Sequence, residues 1–214
     1  MIKVHKLTFN PFQENMYILS DETNEAVIID PGCYERSEKR ELVEYIVKNG
    51  LKPVKLVNTH CHLDHILGNA FVAETYGLEL GIHKDDVVTL HMGPRSAHMY
   101  GFTAYQLSPD PAYFLDETQK LTVGNSSLAI IFGPGHAPGH IAFFSAEDKF
   151  VINGDILFRG SFGRYDLPGG DVKILKKTIV EKMFALPDDT VVYCGHGPET
   201  TIGQEKKSNP IYEY

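Results

Sequence analysis

Cysteine is scarce in this sequence, and long apolar runs are missing from it. The three cysteines, Cys33, Cys61 and Cys194, are too few and too odd in number for a disulfide framework, which agrees with a reducing compartment. No stretch approaches the roughly 18 consecutive apolar residues of a membrane span, and the opening MIKVHKLTFNPFQEN lacks the uninterrupted apolar core of a secretory signal. A cytoplasmic address with no membrane partner is therefore expected. Positive charge is also in short supply: 20 Lys and Arg against 28 Asp and Glu leave a formal net charge of -8. Without a basic patch to displace condensed counterions, no nucleic-acid partner is expected. What remains is ordinary globular material. The 214 residues are 43% hydrophobic, enough for a substantial core, and with no low-complexity linker they read as one domain over residues 1–214.

Short β-branched and aromatic runs at Ile2–Phe9, Met16–Leu19 and Ala26–Asp30 predict an antiparallel meander that stops at Pro31-Gly32. Leu42, Tyr45 and Ile46 recur at helical spacing, so a helix is expected over Glu35–Asn49, with Gly50 ending it. Strands are expected at Val54–Asn58 and Glu79–His83, a helix at Ile66–Tyr76, and a mixture of helix and mobile loop over Lys84–Gln106. In the second half, strands are predicted at Gln119–Val123, Ser126–Phe132, Ile141–Ser145 and Lys149–Asn153. A helix with the stripe Val172, Leu175, Ile179 and Met183 covers Asp171–Ala185, and a last strand covers Thr190–Cys194.

The densest chemistry lies in Thr59-His60-Cys61-His62-Leu63-Asp64-His65. Burying these imidazoles and the carboxylate together requires a partner for every nitrogen and oxygen, and a cation satisfies them all at once. In an extended loop, residues two apart face the same side. His60 and His62 would therefore grip one ion, while the turn into the next helix aims Asp64 and His65 at another. The bland alternative is a polar surface loop with Asp64 acting only as a helix cap. Cys61 and Cys194 each sit beside a better-placed histidine and read as small buried side chains.

Three further segments share one pattern, a polar ligand type just after a strand or in a Gly/Pro-rich bend: Gly133-Pro134-Gly135-His136-Ala137-Pro138-Gly139-His140, Gly154-Asp155 and Gly195-His196-Gly197. Each alone reads as an ordinary loop or turn former. Together they match the logic by which a packed scaffold brings distant residues to one rim.

The ordered set Thr-His-Cys-His-Leu-Asp-His, Gly-Pro-Gly-His-Ala-Pro-Gly-His, Asn-Gly-Asp and Cys-Gly-His resembles the metal motifs of metallo-β-lactamase-fold hydrolases, with the glyoxalase II (hydroxyacylglutathione hydrolase) branch the nearest in pattern. The resemblance runs from Asn10-Pro11-Phe12-Gln13-Glu14-Asn15 to the segment 203–210. It implies an α/β fold, a four-layer αββα sandwich with the site at one edge of two sheets. Carried onto this chain, the family pattern gives His60, His62 and His136 to a first metal and Asp64, His65 and His196 to a second, with Asp155 bridging. His140 matches a histidine that sits beside the site and orients its loop.

The resemblance implies two divalent metal ions, zinc foremost, with iron or manganese as alternatives. Such a pair, about 3.5–4 Å apart, lowers the pKa of a shared water enough to supply hydroxide as the nucleophile. Asp64 would orient it and take up its proton. The implied partner is a small-molecule thioester, S-2-hydroxyacylglutathione in the resembled branch. Full-length glyoxalase II carries a C-terminal helical domain that helps bind glutathione, whereas this compact chain ends soon after His196, so glutathione recognition is left open. Arg159, Arg164 and Tyr165, near the expected rim, are candidates to hold a substrate carboxylate. His83, His91 and His98, with Met92, Met99, Tyr100 and Phe102, are candidates for a lid or substrate wall outside the metal set. The rival activities are a mononuclear iron persulfide dioxygenase-like oxidoreductase, a hydrolase of another ester, lactone or β-lactam, and a non-catalytic binding module. Several lactamase branches have cysteine where Asp155 stands.

Overall fold

The computed structural model describes residues 1–214. Six strands form the first sheet in the order β1 (Lys3–Phe9), β2 (Glu14–Ser20), β3 (Glu25–Ile29), β4 (Lys52–Val57), β5 (Leu80–Ile82) and β6 (Tyr113–Phe114). The first three are antiparallel and the rest add in parallel. The second sheet also has six: β7 (Lys120–Val123), β8 (Ser126–Phe132), β9 (Ile141–Ser145), β10 (Phe150–Gly154), β13 (Val191–Cys194) and β14 (Thr200–Thr201). β11 (Leu157–Phe158) and β12 (Ser161–Phe162) make a small separate hairpin.

The two-residue period of each strand assigns its faces. On β2, Tyr17 and Leu19 pack toward the second sheet, where Leu128, Ile130, Phe143 and Ile152 meet them. Met16 and Ile18 point the other way, onto Leu42 and Ile46 of α1 (Arg36–Lys48). In the second sheet, Phe143 faces inward, while Ala142 and Val151 face Leu175 of α6 (Val172–Thr178) together with Ile179 and Met183 beyond it. Both sheets are thus buried on two faces, giving the four-layer αββα arrangement that the motif resemblance implies. No helix is long and apolar enough to cross a membrane.

Two expected helices differ in detail. The one predicted over Ile66–Tyr76 starts earlier and breaks, as α2 (Leu63–Ile66) and α3 (Asn69–Tyr76). The break has a steric cause: Gly68 donates its N–H to the Pro31 carbonyl at 2.7 Å, and a Cβ there would lie 2.5 Å from Cys33 Sγ. The Asp171–Ala185 helix begins as expected, with the Asp171 carboxylate accepting from the N–H groups of Lys173 and Ile174. It then widens into a π-turn over Ile179–Met183, closed by Phe184 N–H to the Ile179 carbonyl. Lys84–Gln106 contains a 3₁₀ turn (Lys84–Asp86) and then α4 (Val87–His91) and α5 (Gly93–Tyr100). α7 (Ile202–Ser208) and a closing 3₁₀ turn (Pro210–Glu213) complete the chain.

Candidate metal centre

One edge of the sandwich collects the segments at the C-terminal ends of β3, β4, β10 and β13, together with the loop before β9. His60, His62 and His136 bring three ring nitrogens together: His62 Nδ1 to His136 Nε2 is 2.8 Å, and His136 Nε2 to His60 Nε2 is 3.2 Å. The other nitrogens of His136 and His60 identify their tautomers. His136 Nδ1 lies 2.7 Å from the Arg164 carbonyl, which can only accept, so Nδ1 carries the proton and Nε2 a lone pair. The Thr59 hydroxyl donates to Asp30 and leaves its oxygen to accept from His60 Nδ1, so His60 Nε2 also presents a lone pair. Two buried lone pairs 3.2 Å apart repel each other unless a cation lies between them. Burial, reinforced by neighbouring imidazoles, holds the His60 pKa well below its ordinary value, and burial with His136 nearby pushes that of His62 down to about 3. These rings are neutral at pH 7, the form in which imidazole ligates a metal.

The second group is anionic. His196 Nε2 lies 3.1 Å from Asp64 Oδ2, and His65 Nε2 lies 3.7 Å from the same oxygen. His65 Nδ1 donates to Asp30 at 3.1 Å and His196 Nδ1 to the Phe12 carbonyl at 3.1 Å, so both Nε2 atoms face the carboxylates. Asp155 stands between the two groups. Its Oδ2 is 3.5 Å from His136 Nε2 and 3.4 Å from His196 Nε2, and its Oδ1 is 3.5 Å from His65 Nε2. Asp155 Oδ1 and His65 Nε2 have no hydrogen-bond partner although both are buried. Burial pulls the His196 pKa down, but hydrogen bonds to Asp155 and Asp64 outweigh it and push the value up to about 10. Burial likewise opposes protonation of His65, yet Asp155 and Asp64 raise its pKa well above the ordinary value. Converging lone pairs, orphaned buried atoms and a carboxylate reaching both groups fit two divalent cations.

His140 is buried outside both groups. Its Nε2 accepts the Asp155 N–H at 3.0 Å, and its ring stacks on His60 with centroids 4.7 Å apart. This packing explains the Gly-Asp pair at the end of β10: Gly154 sits at φ +54°, and a Cβ there would lie 2.5 Å from Thr59 Oγ1 and 2.7 Å from the His140 ring. His196 is held across the sheets by Asn15, whose N–H donates to the Gly195 carbonyl and whose amide donates to the carbonyls of Cys194 and Gly197.

Three buried acids were not singled out by the sequence motifs. Asp30 accepts from Thr59 N–H, Thr59 Oγ1 and His65 Nδ1. It ends an apolar strand just as Asp155 does, so the same signal pointed to it. Asp86 accepts from the N–H groups of Cys61 and Gly139 and from the Thr89 hydroxyl, tying both histidine loops to α4. Glu14, fully buried with both oxygens unpaired, lies 3.8 Å from His65 Nδ1. Nothing in their local sequence marks these last two.

A cavity of about 640 Å³ opens onto the centre, between α5 and the hairpin of β11 and β12. Of the three side chains expected to meet a substrate carboxylate, only Arg164 lines it, and its guanidinium is closed by two hydrogen bonds to Asp166 at 2.8 and 2.9 Å. Tyr165 turns away to pack with Phe162 and Tyr214, and Arg159 is exposed outside the cavity. Met92, Met99 and Tyr100 form part of its wall. His83, His91 and His98 do not, and Phe102 is buried against Leu63 and Leu67.

The chain is similar to known proteins over nearly its whole length. Hydroxyacylglutathione hydrolase GloC of Haemophilus influenzae is 36% identical over 201 residues, covering 94% of this chain and 93% of the relative. The crystal structure of BLEG-1 B3 metallo-beta-lactamase superposes with a TM-score of 0.87 at 32% identity, covering 98% of both chains. TTHA1623 in a di-iron-bound form superposes with a TM-score of 0.86 at 37% identity, covering 97% of this chain and 99% of that one. The sequence pattern of the metallo-beta-lactamase superfamily matches residues 9–196. Its span takes in every histidine and carboxylate of the two groups, and the chain belongs to that superfamily, in a compact form similar to hydroxyacylglutathione hydrolase.

Proposed function

We propose that this chain is a binuclear metal-dependent hydrolase of acyl thioesters, of the kind that splits 2-hydroxyacyl thioesters of glutathione, acting as one domain in the cytoplasm. The observation that carries the proposal is Asp155, whose carboxylate lies within 3.5 Å of ring nitrogens from both ligand groups. His60, His62 and His136 would hold one ion, and Asp64, His65 and His196 the other, with Asp155 shared between them. Two divalent ions, zinc foremost, would there acidify a water and draw electron density from an acyl carbonyl. The protein's own groups do the rest. Asp64 lines the cavity, and there it would take a proton from an entering water. Asp30 and the carbonyls of Arg164 and Phe12 fix three imidazoles so that each turns its free nitrogen to the centre. Phe12 and Phe158 line the approach and give it an apolar wall. A thiolate leaves without help from a protein acid, so the reaction needs no further general acid. The relative named hydroxyacylglutathione hydrolase supports the substrate class, and the di-iron relative keeps iron in view as the metal.

The test is one preparation, purified without added metal, in which zinc, iron and manganese are counted and S-lactoylglutathione hydrolysis is assayed beside persulfide oxidation. Two ions per chain with thioesterase activity are expected. A single iron with oxygen consumption would overturn the proposal.

A further inference from the structure

The α5 wall of the cavity reads Met92-Gly93-Pro94-Arg95-Ser96-Ala97-His98-Met99-Tyr100, and Met92, Arg95, Ser96 and Met99 fall at helical spacings of three and four on one face, all lining the cavity. The wall is firmly seated. Ala97 and Phe102 are buried against Leu63 and Leu67 around the helix that carries Asp64, and a Cβ on Gly93 would lie 2.8 Å from the Tyr105 hydroxyl. The charges in the cavity can be assigned one by one. Asp64 and Asp155 face the imidazoles, and Arg164 is closed by Asp166. Arg95 alone has no ion pair and no side-chain hydrogen bond. In a chain of net charge -8, Arg95 is an exposed guanidinium on the cavity wall, with Met92, Ser96 and Met99 on the same helix face, and it can take an anion that enters there.

We propose that Arg95 is the specificity-determining residue of this cavity and holds a carboxylate on the thiol arm of the substrate, so that the preferred substrates are thioesters of a carboxylate-bearing thiol. This rests on the thioesterase reading for the reaction, but not for the binding. Methylene and sulfur groups of the arm lie along Met92 and Met99, and its terminal carboxylate reaches the Arg95 guanidinium with Ser96 as a second donor.

Calorimetric binding of S-hexylglutathione and of its diethyl ester separates the two readings, since neither compound is turned over. Wild type should bind the acid more tightly than the diester, Arg95→Met should weaken the acid by about tenfold and leave the diester unchanged, and Arg95→Lys should recover part of the loss. In turnover, Arg95→Met should raise KM for S-lactoylglutathione with kcat nearly unchanged. Equal binding of acid and diester by wild type, or equal weakening of both in Arg95→Met, overturns the assignment. If the acid binds through Arg95 and no thioester is hydrolysed, the Arg95 assignment stands and the thioesterase reading fails. If hydrolysis proceeds with KM unmoved in Arg95→Met, the reverse holds.

Discussion

Asp155 and His140 are neighbours with different duties, and single substitutions tell them apart. Replacing Asp155 by Ala removes the carboxylate whose oxygens lie within 3.5 Å of ring nitrogens of both groups, so metal content should fall at both positions; full stoichiometry by elemental analysis would refute the bridging assignment. His140→Ala leaves every proposed ligand in place but strips the buried Asp155 N–H of its acceptor. Metal content should stay at the wild-type level while stability falls by about 1–3 kcal/mol, read from denaturant midpoints. His196 makes a pH-dependent contribution of its own. In metal-free protein its pKa is raised from 6.5 to about 10, so its contribution to stability is complete below 6.5 and is lost as pH rises through 10. The stability gap between metal-free wild type and His196→Gln should therefore shrink from pH 6.5 to 10; a constant gap would contradict it. At this scale the sequence was legible where donors crowd into one short motif, as in His60–His65. It was illegible for Asp86, whose partners Cys61 and Gly139 lie 25 and 53 positions away.

Among the elements, those with a full period were readable and the short ones were not. The seven-residue strands β1, β2 and β8 show their alternation or buried run plainly, whereas β6, β11, β12 and β14 have two residues each, too few for a period. The break between α2 and α3 is set by Pro31 and Cys33 pressing on Gly68, a contact between segments that no local pattern contains. The turns that join the strands carry their own electrostatics at the far end of the sandwich. Asp21, after β2, accepts from Thr23, Asn125 and Ser126 and so clips the β2–β3 turn to the β7–β8 turn. Burial opposes its ionisation, yet these hydrogen bonds hold its pKa down at about 2, against an ordinary 3.8. Its contribution is present above 3.8 and is lost as pH falls through 2. Asp21→Ala should cost about 2 kcal/mol at neutral pH without changing metal content. Denaturant titration with elemental analysis checks both, and loss of metal would show that the two ends of the fold are coupled.

For the whole molecule, the sheets place the centre. Residues 30, 60–65, 155 and 196 all come after strands, and the order of those strands within two stacked sheets turns their ends toward one edge. The pattern of a ligand type after a strand was visible in the sequence. Which ends meet was implied only by the family resemblance, because strand order is settled by packing between segments far apart in the chain. The central claim is that two cations sit here, one in each ligand group, with Asp155 between them. Anomalous diffraction from metal-loaded crystals tests it most directly. Two peaks are predicted, one among His60, His62 and His136 and the other among Asp64, His65 and His196, both in contact with Asp155; a single peak, or a second peak away from Asp155, would contradict the account.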